Sequence, residues 1–451
     1  MTLPRVAIIG AGVAGLTAGK SLADQGIAYT CFEASDDIGG NWYFKNPNGR
    51  SSAYRSLHID ISRPSISFDD FPMDTSYPDF PHHAEIFRYL QGYAAKFDLK
   101  QNIRFKTTVK KAERKAAGGW TLSYEGTTDK GSEDFDALLV CNGHHWDASY
   151  PDPPYPGTET FKGIQIHSHD YVDPADPVDL RGKRVLVVGI GNSAVDIVCE
   201  LSRKGVAEKV YIATRSGAYI VPKYVFGKPV DQIVKTNPYL PHAFQRWAGG
   251  VMQRLVSGRS EDFGLPKPNH KFLESHPTVS SELLLRLGSG DAFAKPNVKS
   301  LDGNGVSFDD GSVAEVDAII WATGYRITFP FFDPTFISAP GNVLHLWKRM
   351  FKPEIPDLAF IGLAQPIPTL FPFCEFQSKL AAQWLAGKWA PPPAEVMAAE
   401  IARDEAKYSG HYRKRARHTM QLDYYIFRHE VLGKVVPAGV KRAAAKARVA
   451  A

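Results

Sequence analysis

A glycine-rich turn that directly follows an apolar run constrains this chain more than any other feature. The run Val6–Ile9 has no polar alternation, which is typical of a strand covered on both faces. It is followed by Gly10, Gly12 and Gly15 in the spacing GxGxxG, and then by a predicted helix, Leu16–Asp24. The first glycine permits a tight turn, the second lets a pyrophosphate approach the backbone, and the third lets the helix pack on the strand. The free N–H groups at the start of this helix would face the phosphates.

An acidic residue follows in the place that this fingerprint requires. A second apolar strand, Tyr29–Phe32, ends in Glu33, about twenty residues after the glycines. A carboxylate at this position accepts hydrogen bonds from the hydroxyl groups of a ribose. Strand, turn, helix and acid together predict an α/β unit that binds a dinucleotide. The alternative is a glycine turn in an α/β protein that binds no nucleotide.

The same pattern occurs a second time. Residues 183–194 are an apolar strand followed by GxGxxA, in which Ala194 replaces the third glycine, as the motif tolerates. Each fingerprint is followed further along the chain by a strand that ends in a small-x-Gly turn, at residues 136–144 and 317–325. This internal repeat predicts two dinucleotide-binding units. Two units suggest that one holds a bound redox cofactor and the other a hydride donor.

The end of the next strand indicates which hydride donor the second unit binds. The predicted strand Lys209–Thr214 ends in Arg215 and Ser216, where an acid would favour the free 2′-hydroxyl of NADH. An arginine suits a 2′-phosphate, because it forms charge-assisted, bidentate hydrogen bonds. The pattern therefore favours NADPH over NADH. A solvated arginine at a strand end is the alternative.

Length, charge and cysteine usage exclude several classes of protein. A chain of 451 residues predicts two domains, and 53 basic against 48 acidic residues give a net charge of +5, which does not indicate nucleic-acid binding. No apolar run is long enough to span a membrane, and the first strand begins so close to Met1 that we expect no secretory signal. The four cysteines are dispersed and form no C-x-x-C pair, so we expect reduced thiols in the cytoplasm. The basic tail Lys434–Ala451 predicts a solvated helical end; a membrane or partner contact is the alternative.

The segments between the fingerprints are less regular. Residues 46–81 are rich in Pro, Ser, Asp and aromatic residues, and a long irregular segment inside a compact domain is often functional. Residues 219–296 are predicted to be an insertion, which could cover the active site or form an oligomer contact. The remaining predicted elements are the helices His83–Phe97, Phe244–Leu255 and Phe376–Leu385 and the strands Ile103–Thr107, Gly119–Tyr124, Asp136–Val140 and Phe360–Leu363.

The linker between the two units carries a family resemblance. Residues 161–171 have Phe, Gly, His167 and Tyr171 in the spacing FxGxxxHxxxY, which resembles the identifying motif of flavin-containing monooxygenases and Baeyer–Villiger monooxygenases. The motifs GGNW at residues 39–42, SLHI at 56–59 and WATGY at 321–325 occur in the same order as in that family, so the resemblance covers nearly the whole chain. Baeyer–Villiger enzymes typically have Trp where this chain has Tyr171, which favours the branch that oxygenates nitrogen and sulfur.

The resemblance implies a fold and a domain order. We expect two Rossmann-like α/β domains, with the NADPH-binding domain inserted into the FAD-binding domain. The implied boundaries are residues 1–172 for the first part of the FAD domain, 173–325 for the NADPH domain with its helical insertion near 219–296, and 326–451 for the second part of the FAD domain with the basic tail.

The resemblance also implies which residues bind the two cofactors. The residues that it places at FAD are Gly10, Gly12, Gly15, Glu33, Gly40 and Trp42. Those that it places at NADPH are Gly189, Gly191, Asn192, Ser193 and Arg215, and His167 would help to position the nicotinamide nucleotide. Ala14, His58, Ala194, Ser216 and Gln365 complete the expected set of cofactor-binding residues. A metal site at His167 and His169 is not expected, because no further ligand pattern accompanies them.

One residue departs from the family pattern. Asp60 stands where many flavin-containing monooxygenases have an Asn that is thought to hydrogen-bond the oxygenated flavin and the NADP. A carboxylate donates a hydrogen bond only when it is protonated. Asp60 would therefore bind a cationic amine or have a raised pKa in an apolar site. A simple ion pair with Arg63 is the alternative. Asp60 is the one candidate for a catalytic residue.

The expected activity follows from the same resemblance. The chain is predicted to be an FAD-containing, NADPH-consuming monooxygenase that forms a C4a-hydroperoxyflavin and transfers one oxygen atom to an amine nitrogen or sulfide sulfur of a small molecule. The cofactor carries the difficult chemistry, and the protein supplies placement and exclusion of water. Baeyer–Villiger oxidation of ketones and an NADPH oxidase or reductase activity are the alternatives. The expected partners are a small substrate and O2, with no nucleic acid, no integral membrane segment and a homodimer as the assembly.

Overall fold

The computed structural model describes residues 2–408 and 419–450. In chain order the strands are β1 (Val6–Ile9), β2 (Tyr29–Phe32), β3 (Ile103–Arg104), β4 (Thr108–Arg114), β5 (Trp120–Glu125), β6 (Lys130–Phe135), β7 (Ala137–Val140), β8 (Asp147–Ala148), β9 (Ile164–His167), β10 (Arg184–Val188), β11 (Lys209–Ala213), β12 (Ile220–Val221), β13 (Tyr224–Val225), β14 (Lys228–Pro229), β15 (Thr278–Val279), β16 (Phe293–Lys295), β17 (Val298–Asp302), β18 (Gly305–Phe308), β19 (Val313–Glu315), β20 (Ala318–Trp321), β21 (Tyr325–Arg326), β22 (Leu358–Phe360), β23 (Gln365–Ile367) and β24 (Gln421–Asp423).

Helices cover most of the remaining regular structure. They are α1 (Val13–Asp24), α2 (Arg63–Ile66), α3 (His83–Lys96), α4 (Asn192–Leu201), α5 (Val230–Ile233), α6 (His242–Ser257), α7 (Leu283–Gly288), α8 (Phe371–Leu385), α9 (Ala394–Tyr408), α10 (Tyr424–Glu430) and α11 (Val436–Ala450). Within the described ranges, none of these helices combines the length and the apolar character that crossing a bilayer requires.

The first large sheet contains the N-terminal strand at its centre. Its five strands are parallel and follow the order β22-β7-β1-β2-β3. Alternate residues of β1 face two different cores: Val6 and Ile8 pack with α1 and α8, whereas Ala7 and Ile9 pack with the β4–β6 hairpins and a cluster of phenylalanines. All four side chains are buried, as the apolar run predicts.

The second large sheet repeats this arrangement. Its five parallel strands follow the order β16-β11-β10-β20-β9. β10 occupies the place of β1, and β20 pairs with it in the way that β7 pairs with β1. The α/β fold with two Rossmann-type units and the internal repeat are therefore confirmed.

Several predicted boundaries were wrong by a few residues, for local reasons. Helix α1 begins at Val13 rather than Leu16, so the GxGxxG turn already contains its first helical residues. The strand predicted at Ile103–Thr107 ends at Arg104, because Lys106 adopts φ +51°. The strand predicted at Phe360–Leu363 is β22, which lies two residues earlier, because Gly362 adopts φ +73°.

The predicted helices in the insertion and near the C-terminus are present and longer than expected. The one predicted at Phe244–Leu255 is α6, and the one predicted at Phe376–Leu385 is α8, whose early start places Pro372 in the first turn, where proline is tolerated. The basic tail forms α11, as expected of a helical end, and Ala451 lies outside the described residues.

Candidate active site

The first glycine fingerprint forms a cradle at the carboxyl end of β1. Gly10 adopts φ +99°, and a Cβ atom there would lie 2.7 Å from the carbonyl oxygen of Cys141. A Cβ atom on Gly15 would lie 1.8 Å from the carbonyl oxygen of Gly10. Only glycine fits at these two positions, which is the backbone packing that the fingerprint predicts.

The start of α1 has the features of a phosphate-binding site. Gly12 is its N-cap, no side chain caps the helix, and its first turn contains no acidic residue. A Cβ atom on Gly12 would lie 3.7 Å from Cα of Gly40, and one on Gly40 would lie 3.1 Å from Cα of Gly12, so the backbones of the two glycines pack closely against each other. Gly39 donates its N–H to the Ala11 carbonyl oxygen at 3.0 Å, which holds the GGNW turn against the cradle. The uncapped N–H groups and the helix dipole fit a pyrophosphate.

Glu33 is held rigidly at the end of β2. Its Oε2 accepts the N–H of Ala11 at 2.7 Å, and its Oε1 accepts the N–H of Ser35 at 2.7 Å. Burial raises the pKa of Glu33, whereas these two hydrogen bonds and the charge of Arg50 act in the opposite direction. Each oxygen keeps a lone pair, so the carboxylate fits the ribose hydroxyl groups of an adenine dinucleotide.

Arg50 is a residue of this site that the sequence reasoning missed. Its guanidinium lies 4.6 Å from the centre of the Trp146 ring, in a cation–π contact. Its charge acts on Glu33. Nothing in the spacing of the irregular segment 46–81 marks Arg50, because only the folded loop brings it to the end of β2.

The remaining residues expected at FAD differ in how far they are buried. Ala14 is buried in the first turn of α1, and Trp42 is half-buried, with its ring packed edge-on against Phe371. His58 is exposed, and its ring lies 5.0 Å from that of His82. The backbone N–H of Gln365 donates to the Met420 carbonyl oxygen, which ties β23 to the C-terminal region. The assignment of these residues to FAD stays a prediction.

The second fingerprint forms a matching cradle at the end of β10. Gly189 adopts φ +141°, and a Cβ atom there would lie 2.3 Å from the Ala322 carbonyl oxygen. Gly191 is the N-cap of α4, which has no side-chain cap and no acidic residue in its first turn, and Ala194 is fully buried. Asn192 accepts the N–H of Val279 through its side-chain oxygen at 3.1 Å, so β15 of the insertion contacts this cradle.

Arg215 follows the end of β11 and is exposed. Within residues 2–408 and 419–450 its guanidinium has no hydrogen bond or ion pair, and its charge acts on the neighbouring Tyr155. Ser216 is buried, and its carbonyl oxygen accepts the Thr214 hydroxyl at 2.8 Å. Ser193 is the second residue of α4. An arginine without an acidic partner beside an uncapped helix start fits a 2′-phosphate.

Asp60 lies in a cluster of charged groups beside the start of α4. Its Oδ1 is buried, has no hydrogen-bond partner among the described residues, and lies 3.7 Å from Nζ of Lys223. Burial and the negative charge of Asp196 raise the pKa of Asp60, whereas Lys223 and the amide of Asn192 act in the opposite direction. The alternative of an ion pair with Arg63 is wrong, because the cation that reaches Asp60 is Lys223 of the insertion.

Two tyrosines attach helix α4 to this cluster. Tyr54 donates its hydroxyl to Asp196, whose pKa is raised by burial. Tyr171, the last residue of the linker motif, is buried and donates its hydroxyl to Glu200 at 2.8 Å. The linker motif and the Asp60 loop are therefore joined to the same face of α4, one turn apart.

His167 is the last residue of β9 and is fully buried. Its Nδ1 accepts the N–H of His169 at 3.0 Å, and its Nε2 has no hydrogen-bond partner in the described part of the chain. Burial lowers the pKa of His167 to about 4, so the ring is neutral near pH 7. The His167 ring packs edge-on against the rings of Tyr150 and Tyr325. Because Nδ1 accepts a hydrogen bond, the proton of the neutral ring lies on Nε2, and the backbone of Gly324 and Ser149 acts against the lowering of the pKa of His167. The ring is therefore suited to donate a hydrogen bond rather than to move a proton.

Metal ligands and reactive thiols are not features of this site. The structure, over the ranges it describes, shows no group of three or more His, Cys, Asp or Glu side chains arranged around a metal position. All four cysteines are buried and unpaired, and burial raises the pKa values of their thiols.

Comparison with known proteins identifies relatives along almost the whole chain. A family model described as flavin-binding monooxygenase-like matches residues 4–441. Human flavin-containing monooxygenase 5 is 38% identical over 441 residues, covering 94% of this chain and 81% of that protein. Rat dimethylaniline monooxygenase 2, named as N-oxide-forming, is 36% identical over 445 residues, covering 95% and 82%. The solved structure of S-allyl-L-cysteine S-oxygenase from Allium sativum superposes with a TM-score of 0.71 at 25% identity, covering 98% of this chain and 89% of that one.

Proposed function

The chain belongs to the flavin-binding monooxygenase-like family, and on that basis we propose that it transfers one oxygen atom from O2 to an amine nitrogen or a sulfide sulfur, with bound FAD and with NADPH as reductant. The observation that carries the proposal is the pair of uncapped, glycine-lined helix starts, α1 and α4, with the Asp60 cluster beside the start of α4. The names of the N-oxide-forming relative and of the S-oxygenase support the choice of nitrogen and sulfur.

The FAD cradle consists of Gly10, Gly12, Gly15, Gly40 and Glu33. The glycines let the pyrophosphate approach the backbone, and the start of α1 supplies N–H groups to it. Glu33, already fixed by two backbone N–H groups, accepts the ribose hydroxyl groups. When bound, FAD supplies the redox and oxygen chemistry, for which the side chains of this chain need supply only position, hydrogen bonds and exclusion of water.

NADPH is held by the second cradle. Gly189, Gly191 and the start of α4 bind its pyrophosphate, and Arg215 pairs with the 2′-phosphate. His167, neutral and buried, would help to position the nicotinamide end of the nucleotide as a hydrogen-bond donor. Arg215 and His167 transfer no proton in this arrangement. Both are therefore binding residues rather than catalytic ones.

Asp60 is the side chain that we assign to the reaction itself. It lies where the irregular segment 46–81 meets the start of α4, and its buried Oδ1 has no hydrogen-bond partner in the described part of the chain. As a neutral carboxyl it donates a hydrogen bond, which is the property that an amide at this position also has. The raised pKa keeps a neutral fraction available near pH 7.

The domain order, the cellular compartment and the assembly state of the protein are part of the same proposal. We assign residues 1–172 and 326–451 to the FAD domain and residues 173–325 to the NADPH domain, because β22 joins the first sheet whereas β10, β11 and β20 belong to the second. The linker strand β9 lies before the proposed boundary and already pairs with β20 of the second sheet. The buried, unpaired cysteines support a reducing compartment, the cytoplasm. A homodimer stays a prediction that light scattering after size exclusion would test.

The proposed reaction is tested with purified holoenzyme, NADPH and air. Thioanisole, N,N-dimethylaniline and cyclohexanone are offered separately, and NADPH loss, hydrogen peroxide and organic product are measured together. The proposal predicts sulfoxide and N-oxide in proportion to the NADPH consumed, and no lactone. Consumption of NADPH with an equal amount of peroxide, and no oxide from either substrate, would overturn it.

A further inference from the structure

A short part of the insertion, residues 223–232, contacts the loop that carries Asp60. Nζ of Lys223 donates to the Ile59 carbonyl oxygen at 3.3 Å. The hydroxyl of Tyr224 donates to Asp79 at 2.9 Å, and the carbonyl oxygen of Asp79 accepts the N–H of Arg63 in the loop at 2.7 Å. The third contact, between Asp231 and the residues that follow Asp60, contains the most hydrogen bonds.

Asp231 is buried, with 8% of its surface exposed. Its Oδ1 accepts the N–H of Ser62 at 3.2 Å, and its Oδ2 accepts the hydroxyls of Ser62 and Ser65, each at 2.6 Å. The amide of Gln232 donates to the same Oδ2 at 2.9 Å. Across residues 2–408 and 419–450 no Lys, Arg or His nitrogen lies within 4 Å of this carboxylate. Hydrogen bonds therefore take the place of a counter-ion, and such a buried carboxylate is stable only while they are intact.

These bonds fix the backbone next to Asp60. Ser62 is the N-cap of α2, and its hydroxyl, which could cap that helix, is instead used by Asp231. On the opposite side, Ile59 and Ile66 are buried in the core of the first sheet. The loop is thus held between that core and the insertion, and Asp60 lies two residues before Ser62, which the Asp231 carboxylate holds.

We propose that Asp231 is a positioning residue for the monooxygenase reaction: it clamps the loop 59–65 so that the Asp60 carboxyl stays beside the start of α4 in the second cradle. The inference rests on the proposed function and assigns to the insertion a role in holding the reacting site together. Loss of the clamp allows the loop to move, and a shift of the order of 1 Å at a reacting group lowers efficiency greatly.

The groups that face Asp60 are not part of the clamp. They are Asp196 and Asn192 of α4, Lys223 of the insertion and Tyr54 of the same loop, with Glu282 close enough for its charge to act on Asp196. A variant of Asp231 leaves all of them in place. A change in the behaviour of Asp60 in such a variant therefore reports movement of the loop rather than loss of a charged neighbour.

The test compares Asp231→Ala and Asp231→Asn with Asp357→Asn in the holoenzyme. Asp357 is the control, because its carboxylate also accepts a backbone N–H, that of Gly119 at 2.9 Å, and also joins two segments of the chain. It does so at the β4–β5 hairpin and not at the loop of Asp60. Hydrogen exchange of the amides in residues 59–66 is measured on each protein, together with peroxide released per NADPH consumed in the presence of thioanisole.

For Asp231→Ala we expect exchange in residues 59–66 to be about tenfold faster and the peroxide fraction to rise roughly fivefold. Asp231→Asn keeps one acceptor oxygen, and the serine hydroxyls can rotate, so it should lie between the wild type and Asp231→Ala. Asp357→Asn should change neither quantity. If Asp231→Ala does not fold, the double change Ser62→Ala with Ser65→Ala removes both hydroxyl bonds to Asp231 and carries the same expectation.

Two results separate this inference from the proposed function. Exchange and peroxide fraction in Asp231→Ala that match those of Asp357→Asn would overturn the clamp. A wild-type enzyme that makes no sulfoxide would overturn the proposed function, while the exchange measurement would still decide whether Asp231 holds the loop.

Discussion

Replacing Lys223 by Met should move the pH at which the enzyme loses coupling. Burial, with the charge of Asp196, raises the pKa of Asp60 to about 7, and Lys223 is the cation that opposes this rise. Asp60 is therefore neutral below that pH, where it donates a hydrogen bond, and ionised above it. In the wild type we expect the fraction of NADPH electrons that reach product to fall as the pH rises through the neutral range.

The size of the expected pKa shift of Asp60 follows from its distance to Lys223. Nζ of Lys223 lies 3.7 Å from Oδ1 of Asp60, and the two side chains are 22% and 18% exposed. Two unit charges about 4 Å apart interact by about 4 kcal/mol at an effective dielectric constant of about 20, which corresponds to about three pKa units. Water that enters the site screens the two charges and reduces this interaction energy. The expected rise in the pKa of Asp60 is therefore roughly 1–3 units. Coupling in Lys223→Met should thus persist to a higher pH.

The assay measures sulfoxide formed per NADPH consumed across the pH range for four proteins. Lys223→Met is compared with the wild type and with Lys110→Met, which removes an exposed lysine paired with Glu125 far from the site. Asp60→Asn supplies an amide donor at every pH, so the pH dependence should disappear. The reasoning is refuted if Lys223→Met shows the wild-type midpoint, or a lower one, while Asp60→Asn abolishes the dependence.

Three further changes test the cofactor sites. Arg215→Ala should lower kcat/KM for NADPH about 10- to 100-fold and leave that for NADH nearly unchanged, because one charge-assisted pair is worth roughly 1.5–3 kcal/mol; equal losses with both nucleotides would contradict the assignment. Glu33→Ala should yield protein with little bound flavin, since it removes the ribose acceptor and leaves the N–H groups of Ala11 and Ser35 unpaired; a wild-type ratio of flavin to protein absorbance would rule this out. Gly15→Ala should give flavin-free or insoluble protein, because its Cβ would lie 1.8 Å from the Gly10 oxygen, whereas Gly26→Ala, with nothing within 4 Å, should only lower the melting temperature by a few degrees.

The parts of the fold that were predictable are those that depend on local sequence. A strand without polar alternation, a glycine spacing and an acid at the next strand end occur within the first 33 residues, so one segment of sequence contains the whole β1–α1–β2 unit. The repeat at residues 183–215 follows the same rule. The strands β4 and β6 were missed because they belong to a hairpin sheet with alternating exposed residues and few apolar ones, which gives a weak periodic signal.

The surroundings of Asp60 could not be predicted in this way. Asp196 of α4 and Lys223 of the insertion lie more than a hundred residues from Asp60 in the sequence. The loop of Asp60 and the insertion have no regular pattern that would predict these contacts. The expectation that Arg63 would pair with Asp60 used the nearest cation in sequence, and the folded loop does not bring the two together. Arg50 and Asp231 were missed for the same reason, because their partners are set by tertiary structure alone.

The most direct test of the account is the origin of the transferred oxygen. The holoenzyme is mixed with NADPH and thioanisole under ¹⁸O₂ in ordinary water, and the sulfoxide is examined by mass spectrometry while NADPH and peroxide are followed. The account predicts one ¹⁸O atom in each sulfoxide molecule, formed in proportion to the NADPH consumed. Sulfoxide that disappears when catalase is added, or NADPH consumption that yields only labelled peroxide, would contradict it.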